Sequence, residues 1–115
     1  MSATITSLPT TWAALEAALR ERRPLRVCYH GKERLICPHA LGWKSGRAML
    51  LAYQSGGHTT AGALDPDPRK RWRCLVVEEI AEVLPADPAS SWQSADNYDR
   101  RRPFPAIDEI AVAIT

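Results

Sequence analysis

No stretch of the 115-residue chain approaches the ~20 consecutive apolar residues that a membrane span requires. The opening MSATITSLPT has neither a positively charged leader nor a continuous apolar core, so no signal peptide is expected and a cytoplasmic protein is the default. Cysteine is scarce. Cys28, Cys37 and Cys74 are odd in number and form no Cys-x-x-Cys, which argues against a disulfide framework and for buried free thiols. Also missing are the Gly-x-Ser-x-Gly, His-Glu-x-x-His, P-loop and Gly-x-Gly-x-x-Gly signatures, so the expectation is a non-enzyme without a cofactor. Cys37 and His39 put a thiol near an imidazole, but residues two apart on a strand need a third group to orient them. Repeats, heptads and low-complexity blocks are absent as well.

What remains is an ordinary single-domain composition, 45% hydrophobic and 24% charged. Net charge is +2, yet residues 1–73 hold twelve Lys and Arg against five Asp and Glu, while residues 74–115 hold three against eight. Such asymmetry either builds a basic face able to attract phosphates or cancels locally as the halves intermingle.

Residues 1–11 read as an N-terminal segment and 12–115 as one domain. A helix is expected over 12–22, capped by Thr10 or Thr11 and bounded by Pro9 and Pro24, with Trp12, Leu15, Ala18 and Leu19 on one face. From residue 25 to about 85 the pattern changes to short runs rich in β-formers. LRVCYH and ERLICPHAL flank Gly31-Lys32, a two-residue connection with glycine first, as a type II′ turn prefers. RAMLLAYQ follows the turn signal WKSG. SGGHTTAGALDPDPRK reads as a mobile loop, and RWRCLVVEEI with AEVLPA as an extended pair or one bent strand. Residues 86–105 form an irregular strap and 107–114 a closing strand, with Ile110, Val112 and Ile114 alternating. One helix before about five short strands predicts a mainly β fold, a small, strongly bent antiparallel sheet or barrel.

The stretch CYHGKERLICPH repeats Cys-x-His, as Cys28-x-His30 and Cys37-x-His39, and raises the question of zinc. In the hairpin register set by a Gly31-Lys32 turn these four side chains share a face. His30 and His39 are nevertheless six residues out of step, about 20 Å at ~3.3 Å per residue. A tetrahedral site needs every donor within about 2.3 Å of one ion, so no metal is expected. The same register sets Tyr29 opposite Arg34 on the other face, beside Val27 and Ile36. That pairing suits either sheet packing or a pocket that stacks a base and neutralises a phosphate.

From Tyr29 to Ile80 the chain resembles a WYL domain, an Sm/SH3-like β-barrel found mostly in bacterial and phage regulators. The family shows a strand ending in Tyr, then Arg-x-hydrophobic-x-Pro-x-x-Leu, then Gly-x-Trp-Tyr-Leu-hydrophobic-Ala, then an Arg-rich strand ending in Ile. Here these read Tyr29; Arg34, Ile36, Pro38 and Leu41; Gly46, Leu50 and Ala52; and RCLVVEEI from Arg73 to Ile80. The helix ahead of the first strand also matches. The naming triplet is Ala48-Met49-Leu50, and two further family arginines fall on Val76 and Glu79.

The resemblance implies a non-catalytic regulatory module, sensing a ligand or binding nucleic acid in bacterial transcription or defence. Carried over as ligand-binding residues are Tyr29, Arg34 and Arg73, with His39 as a neighbour inside Pro-x-x-Leu. Trp43, Arg47 and Trp72 are outside the motif and are added because mixed aromatic and basic residues suit single-stranded nucleic acid or nucleotides. The expected partner is therefore a nucleotide or single strand. The alternative is a protein-interaction or oligomerisation module, in which strand edges or the segment SSWQSADNYDRRRPFP engage another chain. The preferred reading of that segment is a strap packed on its own barrel by Trp92, Tyr98 and Phe104.

Overall fold

The computed structural model describes residues 8–59, 62–98 and 107–114. One helix, α1 (Leu8–Glu21), precedes six strands: β1 (Leu25–Tyr29), β2 (Lys32–Lys44), β3 (Arg47–Gly57), β4 (Trp72–Val76), β5 (Ile80–Pro85) and β6 (Glu109–Ala113). The helix begins four residues earlier than the sequence reading placed it. Pro9 falls in its first turn, where the missing N–H has no intrahelical partner to lose. The helix ends in a Schellman arrangement: Arg23 N–H donates to the Ala18 carbonyl and Arg22 N–H to that of Leu19. Arg22 takes the left-handed position at φ 51°.

The strands are antiparallel in the order β4-β3-β2-β1-β5, with β6 added to β2. Strands β4 and β5 lie at opposite ends of that order, yet only the 3-10 turn Val77–Glu79 joins them. Laid flat, four inter-strand steps of ~4.8 Å would separate them by about 19 Å. Three residues of 3-10 helix advance only about 6 Å. The sheet must therefore curl, and the fold is a small bent antiparallel β-barrel with an N-terminal helix. The stretch RWRCLVVEEI with AEVLPA, expected as an extended pair or one bent strand, holds these two terminal strands, which are parted by the 3-10 turn and do not pair with each other.

The first hairpin turns one residue earlier than expected. His30 (φ 51°) and Gly31 (φ 75°) form the loop, both left-handed as a type I′ turn requires, and Tyr29 pairs with Lys32. Arg34 accordingly faces Val27, not Tyr29. A shift of two in the pairing sum leaves every side chain on its expected face, so Val27, Tyr29, Arg34 and Ile36 still share one. The second hairpin repeats the turn with Ser45 (φ 51°) and Gly46 (φ 79°).

Strand β2 carries the bend. Its first half pairs with β1 and its second with β6, and between them the ladder to β3 jumps from Pro38–Ala52 to Ala40–Leu51, leaving His39 unpaired. Proline cannot donate to a ladder and is tolerated at such bulges. The extra residue reverses the alternation. Ile36 and Leu41 face the barrel interior with Leu50, Leu75 and the α1 residues Leu15, Ala18 and Leu19. Cys37 and Ala40 face a second core on the outer surface, with Leu51, Tyr53 and Trp72. The strap covers that second core through Trp92, Ala95 and Tyr98; Phe104 lies outside the described residues.

The long segment after β3 holds ordered turns. Thr59 and Gly62 form a bridge, Asp67 caps a short 3-10 helix, and Arg71 donates to the Asp65 and Pro66 carbonyls. The closing strand is shorter than 107–114, and Ile110 on it is exposed.

Candidate functional site

Tyr29, Arg34 and Arg73 come together on the inner face of the barrel. Tyr29 ends β1, where its side chain crosses the interior and its hydroxyl accepts a hydrogen bond from Val76 N–H at 3.0 Å. That contact ties β1 to β4, the strand at the other end of the sheet order. Burial pushes the Tyr29 phenol up. Arg34 donates from Nη2 to the Tyr29 carbonyl at 3.3 Å, and its guanidinium carbon stands 5.2 Å from the Tyr29 ring centroid. Only 3% of Arg34 is exposed. Burial pushes its guanidinium below the ordinary arginine value, and the positive charge of Arg73 adds to the shift. Arg73 donates to the carbonyls of Lys70 and Trp72. A recess of about 210 Å³ reaches Arg34 from outside, lined also by Arg26, Glu33, Gly57, Asp87 and Ser90. Arg26 in that lining is paired with Glu33 at 3.2 Å.

A chain of side chains that spacing did not reveal borders this group. The His30 ring stacks on Tyr29 with centroids 4.1 Å apart. His30 Nε2 lies 2.6 Å from Glu79 Oε1, and Arg47 binds Glu79 at 2.9 Å and Glu78 at 2.7 Å. Glu79 is held below the usual carboxylate range by its hydrogen bond from His30. The available signal was that Glu79 stands where the family pattern has an arginine.

The other nominated residues lie elsewhere. His39 and Trp72 belong to the outer core, across the sheet from Arg34. His39 is fully buried. Its Nδ1 is 2.7 Å from the Cys37 carbonyl and must donate, so Nε2 accepts from the Ser94 hydroxyl at 2.9 Å. Trp92 stacks on the ring at 4.9 Å, while Trp72 and Tyr98 meet it edge-on at 4.7 and 5.0 Å. Burial lowers the imidazole to about 4. Trp72 itself donates to Asn97 of the strap at 2.8 Å. Trp43 stacks on Trp12 of α1 at 5.2 Å. Arg47 is exposed and engaged by the two glutamates.

The cysteines and histidines of CYHGKERLICPH are scattered. His30 sits at the hairpin turn against Glu79, His39 lies under the strap, and Cys37 accepts from Gln93 N–H through its sulfur at 3.4 Å. Among the described residues no group of three or more His, Cys, Asp or Glu is placed to hold a metal ion. Among the same residues no helix is long and apolar enough to cross a membrane.

A helix entering a strongly bent antiparallel sheet is the fold the resemblance implied, and the family model of the WYL domain matches residues 10–85. The chain belongs to the WYL-domain family. The match spans about two-thirds of the chain, from α1 through β5, and leaves the strap and β6 outside it. No curated protein and no solved structure matches. WYL domains are in general regulatory, ligand-sensing modules rather than catalysts.

Proposed function

We propose that this WYL domain is a regulatory module that binds a nucleotide or single-stranded nucleic acid through the inner-face group Tyr29, Arg34 and Arg73. The carrying observation is geometric: Arg34, only 3% exposed, stands 5.2 Å from the Tyr29 ring centroid, and its ladder partner Val27 and that of Arg73, Ala52, both face the barrel interior. An anion set between Arg34 and Arg73 relieves the repulsion between them and forms charge-assisted hydrogen bonds to both. Phosphate suits two guanidinium groups, and the 210 Å³ recess touches one of them, Arg34, though not Tyr29 or Arg73. Drug-sized ligands occupy about 300–1,000 Å³, so the recess admits a phosphate group and a whole nucleotide requires it to widen. Tyr29 meets the ligand by its hydroxyl and ring edge, its ring already being in contact with His30 and Arg34. Trp43, Trp72, His39 and Arg47 act outside this pocket, as packing or bordering residues.

The test is binding of nucleoside 5′-monophosphates and short single strands to the wild type and to Arg34→Gln/Arg73→Gln, with circular dichroism as the check on folding. Loss of binding by a folded double variant is expected. Undiminished binding would refute the assignment.

A second reading, a protein-interaction module, draws on a different feature. A groove of about 490 Å³ between α1 and β5 is lined by Ala14, Ala17, Pro24, Val83, Leu84 and Pro85. Leu84 in it is 44% exposed, and among the described residues β5 pairs on one side only, with β1. Were this groove the functional surface, Leu84→Asp would abolish partner capture while the Arg34/Arg73 variant retained it.

A further inference from the structure

Gln54 lies on β3, the strand between the two that carry Arg34 and Arg73. It pairs with Ile36, two residues along β2 from Arg34, and follows by two Ala52, the partner of Arg73. Alternation puts Gln54 on the inner face with Ala52 and Ile36, so it is a diagonal neighbour of Arg73, about 7–8 Å away between Cα atoms, and lies across a β-bulge from Arg34. Its side chain is fully buried. The amide is fixed in place: Nε2 donates to the Gly56 carbonyl and to the His58 carbonyl, each at 3.0 Å. Those two bonds use both amide hydrogens and settle which end of the side chain is oxygen. The oxygen, Oε1, is buried and accepts no hydrogen bond among the described residues.

A buried acceptor without a donor is destabilising, and native proteins keep few of them. Here the amide is tethered from behind, on the face that holds the candidate anion site. We infer that Gln54 is the residue by which this pocket selects its ligand, accepting a hydrogen bond from an exocyclic amino group of a nucleotide base whose phosphate lies at Arg34 and Arg73. The inference rests on the proposed function and deepens it. The arginines read the phosphate, which every nucleotide carries, and the glutamine carbonyl reads a donor that only some bases present. A site built to hydrogen-bond a substrate group rejects the analogue lacking it, because the buried partner is then left unsatisfied.

The test compares matched 5′-monophosphates differing by one amino group: AMP with purine riboside monophosphate, GMP with IMP, and CMP with 2-pyrimidinone riboside monophosphate. Calorimetric affinities are measured on the full chain. One amino compound is expected to bind about tenfold or more tightly than its deamino partner. Gln54→Leu should remove that preference while retaining Arg-dependent binding. Gln54→Glu, which adds a carboxylate on the strand beside the phosphate site, should weaken every nucleotide. The wild-type comparison needs no variant, so a misfolded Gln54→Leu does not rescue the idea. Arg34- and Arg73-dependent binding with no amino preference in any pair, or a preference that survives in Gln54→Leu, overturns the inference and leaves the proposed function standing. Absence of any Arg34- and Arg73-dependent nucleotide binding overturns both.

Discussion

At the scale of single residues, His39 shows how a motif position serves packing. It stands inside the Pro-x-x-Leu element, beside the proline that makes the strand bulge, and the bulge turns it outward beneath the strap. There it is held neutral, with a folded value of about 4 against 6.5 for the free side chain. The stability it contributes is complete above pH 6.5 and is lost as pH falls from 6.5 to 4. The full loss is about 3 kcal/mol at ~1.4 kcal/mol per pH unit. Urea midpoints measured across that range should fall for the wild type and stay nearly level for His39→Gln; parallel curves would remove His39 as the cause. Tyr29 allows a second test at this scale. Tyr29→Phe strands the buried-side N–H of Val76 and should destabilise by about 1–3 kcal/mol in thermal or chemical unfolding.

At the scale of elements, the hairpins divide what local sequence specifies from what it leaves open. Alternation in LRVCY and ERLICP was legible, and so was the face shared by Val27, Tyr29, Arg34 and Ile36. The turn was not. Gly31 fits a turn as its first or second residue, and the choice depends on His30 tolerating φ 51°. Beside the stacking of its ring on the neighbouring Tyr29, His30 there meets a non-local partner, Glu79, 49 residues away. The bulge at Pro38 was foreseeable from proline alone, but its effect, two cores on opposite faces of one strand, depends on the strap and on β6. Gln54 gave no signal, because a polar residue ending an apolar run reads as a strand reaching solvent. Two changes test this level. Ser45→Asn installs the Asn-Gly pair that type I′ turns prefer and should raise the melting temperature by a few degrees. Gly42→Ala should detach β6, since a Cβ there would meet the Glu109 carbonyl oxygen and stand 2.7 Å from the Ile107 side chain. Hydrogen exchange at residues 109–113 should then accelerate while β1–β5 stay protected.

At the scale of the whole molecule, the charge imbalance between the two halves resolves into local pairing. Arg47 with Glu78 and Glu79, His30 with Glu79, Lys44 with Asp108 and Arg69 with Asp96 all join a basic N-terminal half to an acidic C-terminal one. Much of the excess positive charge is thereby met on the surface, and Arg73 belongs to none of these pairs. A broad basic face and a two-arginine pocket make different demands on salt. Binding of a single strand weakens with salt in proportion to the phosphates neutralised, with a slope of about −0.7 per phosphate on a double-logarithmic plot. Two arginines predict a slope no steeper than about −1.4. Fluorescence titration of oligoadenylate and oligocytidylate, whose bases carry an exocyclic amino group, between low and physiological salt measures it, using the indole emission of the four tryptophans. A slope several times steeper would assign binding to the surface arginines and lysines instead, and Arg34→Gln/Arg73→Gln would then leave most of it in place.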